Sequence, residues 1–181
     1  MLFDPRGHLE ALGRLGRRSI LGWAALASFA RQLRGQDAPT DVVAVLEAAA
    51  ARILPSDGSP GAREAKVGRF IDRQLRGSLS ALRPAFDQLA RLLDLWSRKQ
   101  FGSPFGMLAA ADQDVVLGQL ARGQIPVRDF PQQAMFRALH TLTLEGFLSD
   151  PIHGGNDGEV GWRAIGFPEP HLRRPGGHHG R

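Results

Sequence analysis

Apolar residues recur at three- and four-residue steps through most of the chain, which is the periodicity of helices with one buried face. In DVVAVLEAAAARIL, beginning at Asp41, the residues Val42, Leu46, Ala49 and Ile53 share a face, and the alanines favour helix. The run from Pro55 to Gly61 combines proline, aspartate, serine and glycine and reads as a turn. A second helix is expected near Ala62 to Leu75, with Ala65, Phe70, Ile71 and Leu75 inward. Asp57 or Ser59 is expected to cap it, with Glu64 in its first turn, where the helix dipole favours a carboxylate. A third, longer helix is expected near Ser80 to Arg98, with Leu82, Phe86, Leu89, Leu93 and Trp96 as its stripe and Pro84 in its first turn. GSPFG at 102–106 breaks the pattern. A fourth helix follows from about Ala110 to Ala121, carrying Val115, Val116, Leu117 and Leu120 and closed by Arg122-Gly123. The fifth opens at Pro131 and runs to about Leu148. No stretch alternates apolar and polar residues with the β-branched content of a strand. The fold class is therefore all-α, with about five helices in a compact bundle and an irregular, glycine-rich C-terminal extension.

The stretch from Phe136 to Pro168 joins the last helix to that extension. Phe136, Leu139, Thr143 and Phe147 lie on one helical face. Ser149-Asp150-Pro151 then stops the helix, because the residue before a proline avoids the α region. HGGNDGEVGW is expected to be irregular, since glycine, asparagine and aspartate tolerate positive φ. Trp162, Ile165 and Phe167 are large apolar groups on this loop, and a loop with such anchors is pinned to its own core or to a partner. Trp162 is expected to lie mostly in the core, with Asn156, Asp157 and Arg163 facing a partner.

Charge separates the N-terminus from the rest. Residues 1–40 hold six Lys+Arg against three Asp+Glu, residues 41–150 hold 13 against 12, and residues 151–181 hold four against three. The nearly neutral middle argues against nucleic acid as a partner. Gly16-Arg17-Arg18-Ser19-Ile20-Leu21 precedes the short apolar run Gly22 to Ala30. Charge, a short apolar stretch and then small residues is the layout of an export signal, and the arginine pair resembles the twin-arginine type. Ser28-Phe29-Ala30 or Ala25-Leu26-Ala27 is the candidate cleavage site, and an ordinary amphipathic helix is the other reading of residues 1–36. Residues 37–168 form the helical domain. Residues 169–181 have too little apolar content to pack and are expected to be a disordered basic tail.

There is no cysteine among the 181 residues, which excludes disulfides, covalently attached haem c and cysteine-ligated metals. There is no apolar run of the roughly 20 residues that a membrane-spanning helix needs. Neither GxGxxG between a strand and a helix nor a P-loop occurs, so no motif holds a flavin, nicotinamide or nucleotide. His140, Glu145, Asp150 and His153 are the candidate ligands or acid–base groups. Glu145 lies about 140° round a helix from His140, so the two do not share a face. The structural reading is that Asp150 and Asn156 cap or staple turns and that His153 is a polar loop residue. His178-His179 in the tail reads as solvated.

Two blocks carry a family resemblance. The first is Ile53-Leu54-Pro55-Ser56-Asp57, then Pro60-Gly61-Ala62-Arg63-Glu64-Ala65, Val67 and Phe70-Ile71-Asp72. The second is Thr143-Leu144-Glu145-Gly146-Phe147-Leu148-Ser149-Asp150-Pro151, then His153-Gly154-Gly155-Asn156, Gly161-Trp162-Arg163 and Ile165-Gly166-Phe167-Pro168. In this order, over about residues 41 to 168, they resemble the gluconate 2-dehydrogenase subunit 3 family. The resemblance implies a small, non-catalytic subunit of a membrane-bound or periplasmic sugar, sugar-acid or polyol dehydrogenase. It implies a partner flavoprotein of the glucose–methanol–choline type, with FAD in that partner and often a multihaem cytochrome c subunit. No cofactor, catalytic residue or metal is implied in this chain, and contact with the membrane would come only through the complex. The small subunit's twin-arginine signal, here Arg17 and Arg18, would escort the folded catalytic subunit to the periplasm; Ile20 departs from the usual phenylalanine of that motif. Two other readings are a stand-alone exported helical domain binding a small ligand or metal through residues 140–156, and a structural interaction module without an enzyme partner.

Overall fold

The computed structural model describes residues 40–167. The proposed signal with Arg17 and Arg18, Pro168 and the tail of residues 169–181 lie outside the described residues. Among the described residues six α-helices occur in the order α1 Val42–Ile53, α2 Val67–Arg76, α3 Arg83–Phe101, α4 Ala110–Arg122, α5 Gln132–Leu148 and α6 Val160–Ala164. Single 3₁₀ turns stand at Ser80–Leu82, Phe105–Met107, Pro151–His153 and Asp157–Glu159. No strand occurs among the described residues, and the fold is all-α. No described helix is long and apolar enough to cross a membrane.

Helix α1 is the centre of the bundle and packs against α2, α3, α4 and α5. Its alanines explain how four neighbours fit round 12 residues: Ala48, Ala49, Ala50 and Ala51 are all buried, and a methyl side chain lets backbones approach closely. Asp41 starts the helix by accepting a hydrogen bond from the Ala44 amide at 3.1 Å. Around it, Phe86, Leu89 and Leu93 of α3, Val116 and Leu120 of α4, and Leu139 and Leu142 of α5 fill one core. Of the apolar residues on α4, Val115 is exposed, because the buried stripe passes through Gln113, Val116, Leu117 and Leu120.

The second helix starts five residues later than the pattern suggests. Residues 62–66 form a turn tied to the end of α1, with the Ala62 amide on the Leu54 carbonyl at 2.9 Å. Lys66 then adopts left-handed φ (54°) and serves as the cap position, with no capping side chain. Asp57 and Ser59 therefore do not cap α2. Glu64 closes the preceding turn instead, accepting from the Ser56 hydroxyl at 2.6 Å and the Gly61 amide at 2.9 Å. Those hydrogen bonds, the Ser56 hydroxyl foremost, hold its carboxyl below the usual range. The third helix is likewise divided, since Ser80–Leu82 is 3₁₀ and α3 proper begins at Arg83 with Pro84 in its first turn.

Candidate interaction surface

The C-terminal extension, residues 149–167, is a strap folded back over the end of α5. It contains more regular structure than its composition suggests. Positive φ at Gly154, Asn156, Gly158 and Glu159 sets the breaks, and around them lie two 3₁₀ turns and α6, which carries Trp162. Asp150 caps the first turn by accepting from the Ile152 amide at 3.0 Å.

One side of the strap is locked onto α5. Asn156 is fully buried, donates to the Ser149 carbonyl at 3.0 Å and accepts from the Gly161 amide at 2.8 Å. A single amide side chain thus closes the loop between residues 149 and 161. Two glycines let the strap touch the helix: a Cβ on Gly155 would stand 2.1 Å from the Gly146 carbonyl oxygen, and one on Gly161 would stand 1.9 Å from that of Phe147. Trp162 donates its indole N–H to the Leu148 carbonyl at 2.8 Å, and its ring lies 5.6 Å from that of Phe167.

The other side of the strap is held to α2 by exposed, charged groups. Asp157 pairs with Lys66 at 2.9 Å and with Arg69 at 3.8 Å. The Lys66 ammonium holds the Asp157 carboxyl below its ordinary range. Arg69 donates to the Gly154 carbonyl at 3.1 Å and Arg73 to the Ile152 carbonyl at 2.6 Å. The Asp157 amide reaches the Ala65 carbonyl at 3.2 Å.

The four sequence-derived contact residues take different places on the strap. Asn156 is an internal staple, because both ends of its side chain are taken by strap backbone and none of it reaches solvent. Trp162 is half-buried over the last turn of α5 and stands outside the main core cluster. Asp157 is half-exposed and engaged with α2, and Arg163 is exposed and donates to the Gly158 carbonyl. Of the other candidates, His140 and His153 are exposed, while Glu145 and Asp150 are half-buried. Burial pushes the Glu145 carboxyl above its ordinary value. No group of three His, Asp or Glu that could hold a metal occurs among the described residues.

The strap region is also where apolar side chains reach the surface. Of seven large hydrophobic residues exposed among those described, five lie between Leu144 and Phe167: Leu144, Leu148, Ile152, Ile165 and Phe167. The sequence reading reached Ile165 and Phe167 through their loop context but not Leu144 and Leu148, whose helical positions give no sign that a strap leaves them uncovered.

Sequence reasoning missed a second built feature. Asp94 on α3 is buried and accepts from the Phe105 amide at 2.9 Å, while buried Gln113 on α4 donates to the Phe105 carbonyl at 2.9 Å. Together they fix the Phe105–Met107 turn, which walls one side of a cavity of about 430 Å³ against α1. Met107 on that turn is 79% exposed.

Comparison with curated proteins and with solved structures found no match. The family model described as gluconate 2-dehydrogenase subunit 3 matches residues 40–168, well over half of the 181-residue chain and nearly coincident with the bundle and its strap. The chain belongs to the gluconate 2-dehydrogenase subunit 3 family.

Proposed function

We propose that this chain is the small accessory subunit of an FAD-dependent dehydrogenase of the glucose–methanol–choline type, acting on a sugar, sugar acid or polyol in the periplasm. Family membership supports a place in a multi-subunit dehydrogenase. The observation that carries the reading is the strap: a segment stapled by buried Asn156 that presents Ile152, Ile165 and Phe167 to solvent. Apolar side chains held out on a fixed backbone suit a protein partner, because little ordering remains to oppose binding. In this reading the flavin and the catalytic groups belong to the partner, with haem c in a cytochrome subunit where one is present. This chain assists assembly, stability and export of the flavoprotein, with Arg17 and Arg18 as the twin-arginine signal.

The test is affinity purification of the tagged chain from its native cells, followed by a flavin spectrum and a dehydrogenase assay. A stoichiometric flavoprotein with sugar or polyol dehydrogenase activity is expected, and Ile165→Ser with Phe167→Ser should deplete it. Recovery of the folded chain without a flavoprotein would overturn the proposal.

A further inference from the structure

Along the flank where α2 meets the strap, nearly every cation has a carboxylate. Lys66 and Arg69 share Asp157, Arg76 pairs with Asp72 at 2.9 Å, and Arg83 pairs with Asp87 at 2.7 Å. Arg73 stands in their midst, exposed, and no ion pair joins it to a carboxylate among the described residues. Its guanidinium is nevertheless positioned, since one N–H donates to the Ile152 carbonyl at 2.6 Å. That bond sets a charged, planar group on the backbone of a residue whose side chain is 60% exposed. A guanidinium has five N–H donors, so four remain for a partner.

We propose that Arg73 and Ile152 form one recognition unit, and that the partner surface opposite them is an apolar socket bordered by a carboxylate. This inference rests on the accessory-subunit reading and specifies the chemistry of its contact. A carboxylate answers the flank cation that pairs with no carboxylate among the described residues, and it does so in the two-bond geometry that arginine favours. An apolar socket answers Ile152, which nothing in the bundle covers. Arginine beside an apolar anchor is a common composition at the centre of protein interfaces, where desolvation strengthens the charge pair. The strap carbonyl does the orienting, so less side-chain entropy is lost when the partner arrives.

The experiment uses the native complex, comparing Arg73→Met, Arg73→Glu, Arg73→Lys and Ile152→Ser for flavoprotein retention and dissociation constant. Deuterium exchange at the Gly161 amide reports in each case whether the strap is seated. Arg73→Met and Ile152→Ser are each expected to weaken association by about tenfold or more, and Arg73→Glu further, as expected for loss of an interface hot spot. Arg73→Lys keeps the charge but not the two-bond geometry, so its affinity should fall between that of the unmodified chain and that of Arg73→Met. Equal binding by the methionine and lysine variants would overturn the carboxylate, and normal binding by Ile152→Ser would overturn the socket. If Ile165→Ser with Phe167→Ser releases the flavoprotein while all Arg73 variants hold it, the accessory-subunit reading stands and this inference fails. If the unmodified chain retains no flavoprotein, it is that reading which fails.

Discussion

Replacing Asn156 by alanine is expected to release the strap. The side chain is fully buried and supplies one donor and one acceptor, to Ser149 and Gly161. Alanine leaves the Gly161 amide buried without a partner, a loss of about 1–3 kcal/mol. Ser149 is half-buried and its bond to Asn156 part-buried, so water recovers part of that bond and its share is about 0–1 kcal/mol. Residue 156 also sits at φ 47°, where a residue with a Cβ and no local polar bond loses roughly 1 kcal/mol or more. The sum is about 3 kcal/mol, which corresponds to a fall in Tm of roughly 12 °C for a domain of this size. Should the strap lift while the bundle stays folded, Tm falls less and the loss appears as exchange at Gly161 and as a change in Trp162 fluorescence. Asn156→Gly separates the contributions, because it removes both hydrogen bonds but tolerates the backbone, and it should be about 1 kcal/mol milder than alanine. A Tm within about 2 °C of wild type, together with unchanged protection of the Gly161 amide, would refute the staple.

Asp94→Ala removes the acceptor of the buried Phe105 amide and is expected to lower stability by about 2–3 kcal/mol, measured by urea denaturation, with Gln113→Ala affecting the same turn. Glu145 has a raised carboxyl because of burial, so the folded state binds its proton more tightly and stability falls as pH rises through that value. Glu145→Gln should therefore raise Tm at pH 7 and change little below about pH 4, where the unfolded carboxyl is protonated too; a lower Tm at pH 7 would contradict this. Asp157 has the opposite sign: its carboxyl is held low by Lys66, so the stability it contributes is present above the unfolded value and is lost as pH falls through the folded one. Acid should thus loosen the α2 side of the strap first, seen as faster exchange at the Asp157 amide. Changing Arg17 and Arg18 to lysine is expected to leave the chain and its flavoprotein in the cytoplasm, and periplasmic delivery of the double variant would assign residues 1–36 another role.

Helical periodicity alone determined the fold class, since an apolar residue at every third or fourth position has one economical outcome in water. It placed Leu46, Phe70, Ile71, Phe86, Leu89, Leu93, Leu120 and Leu139 in the interior, and they are buried. The two sequence blocks determined the family, because their glycines, proline and asparagine serve close approaches and turns that few other residues can make. The starts of α1, α4 and α5 were legible, at Asp41, at Ala110 and beside Pro131. The start of α2 was not, because the Glu64 carboxylate and the contact with the end of α1 outweigh the helical preference of residues 62–66. The reading of Asp150 and Asn156 as turn caps or staples was legible, but tertiary structure alone decided which groups they hold. The two ends of Asn156 meet residues 149 and 161 only once the chain folds back. The pairing of Asp157 with Lys66, and the seat of Arg73 on the Ile152 carbonyl with no carboxylate paired to it among the described residues, depend on how α2 lies under the strap, which no local pattern encodes. Burial of Asp94 follows the same rule: a carboxylate on a helix reads as solvent-facing unless a distant amide, here that of Phe105, arrives to satisfy it.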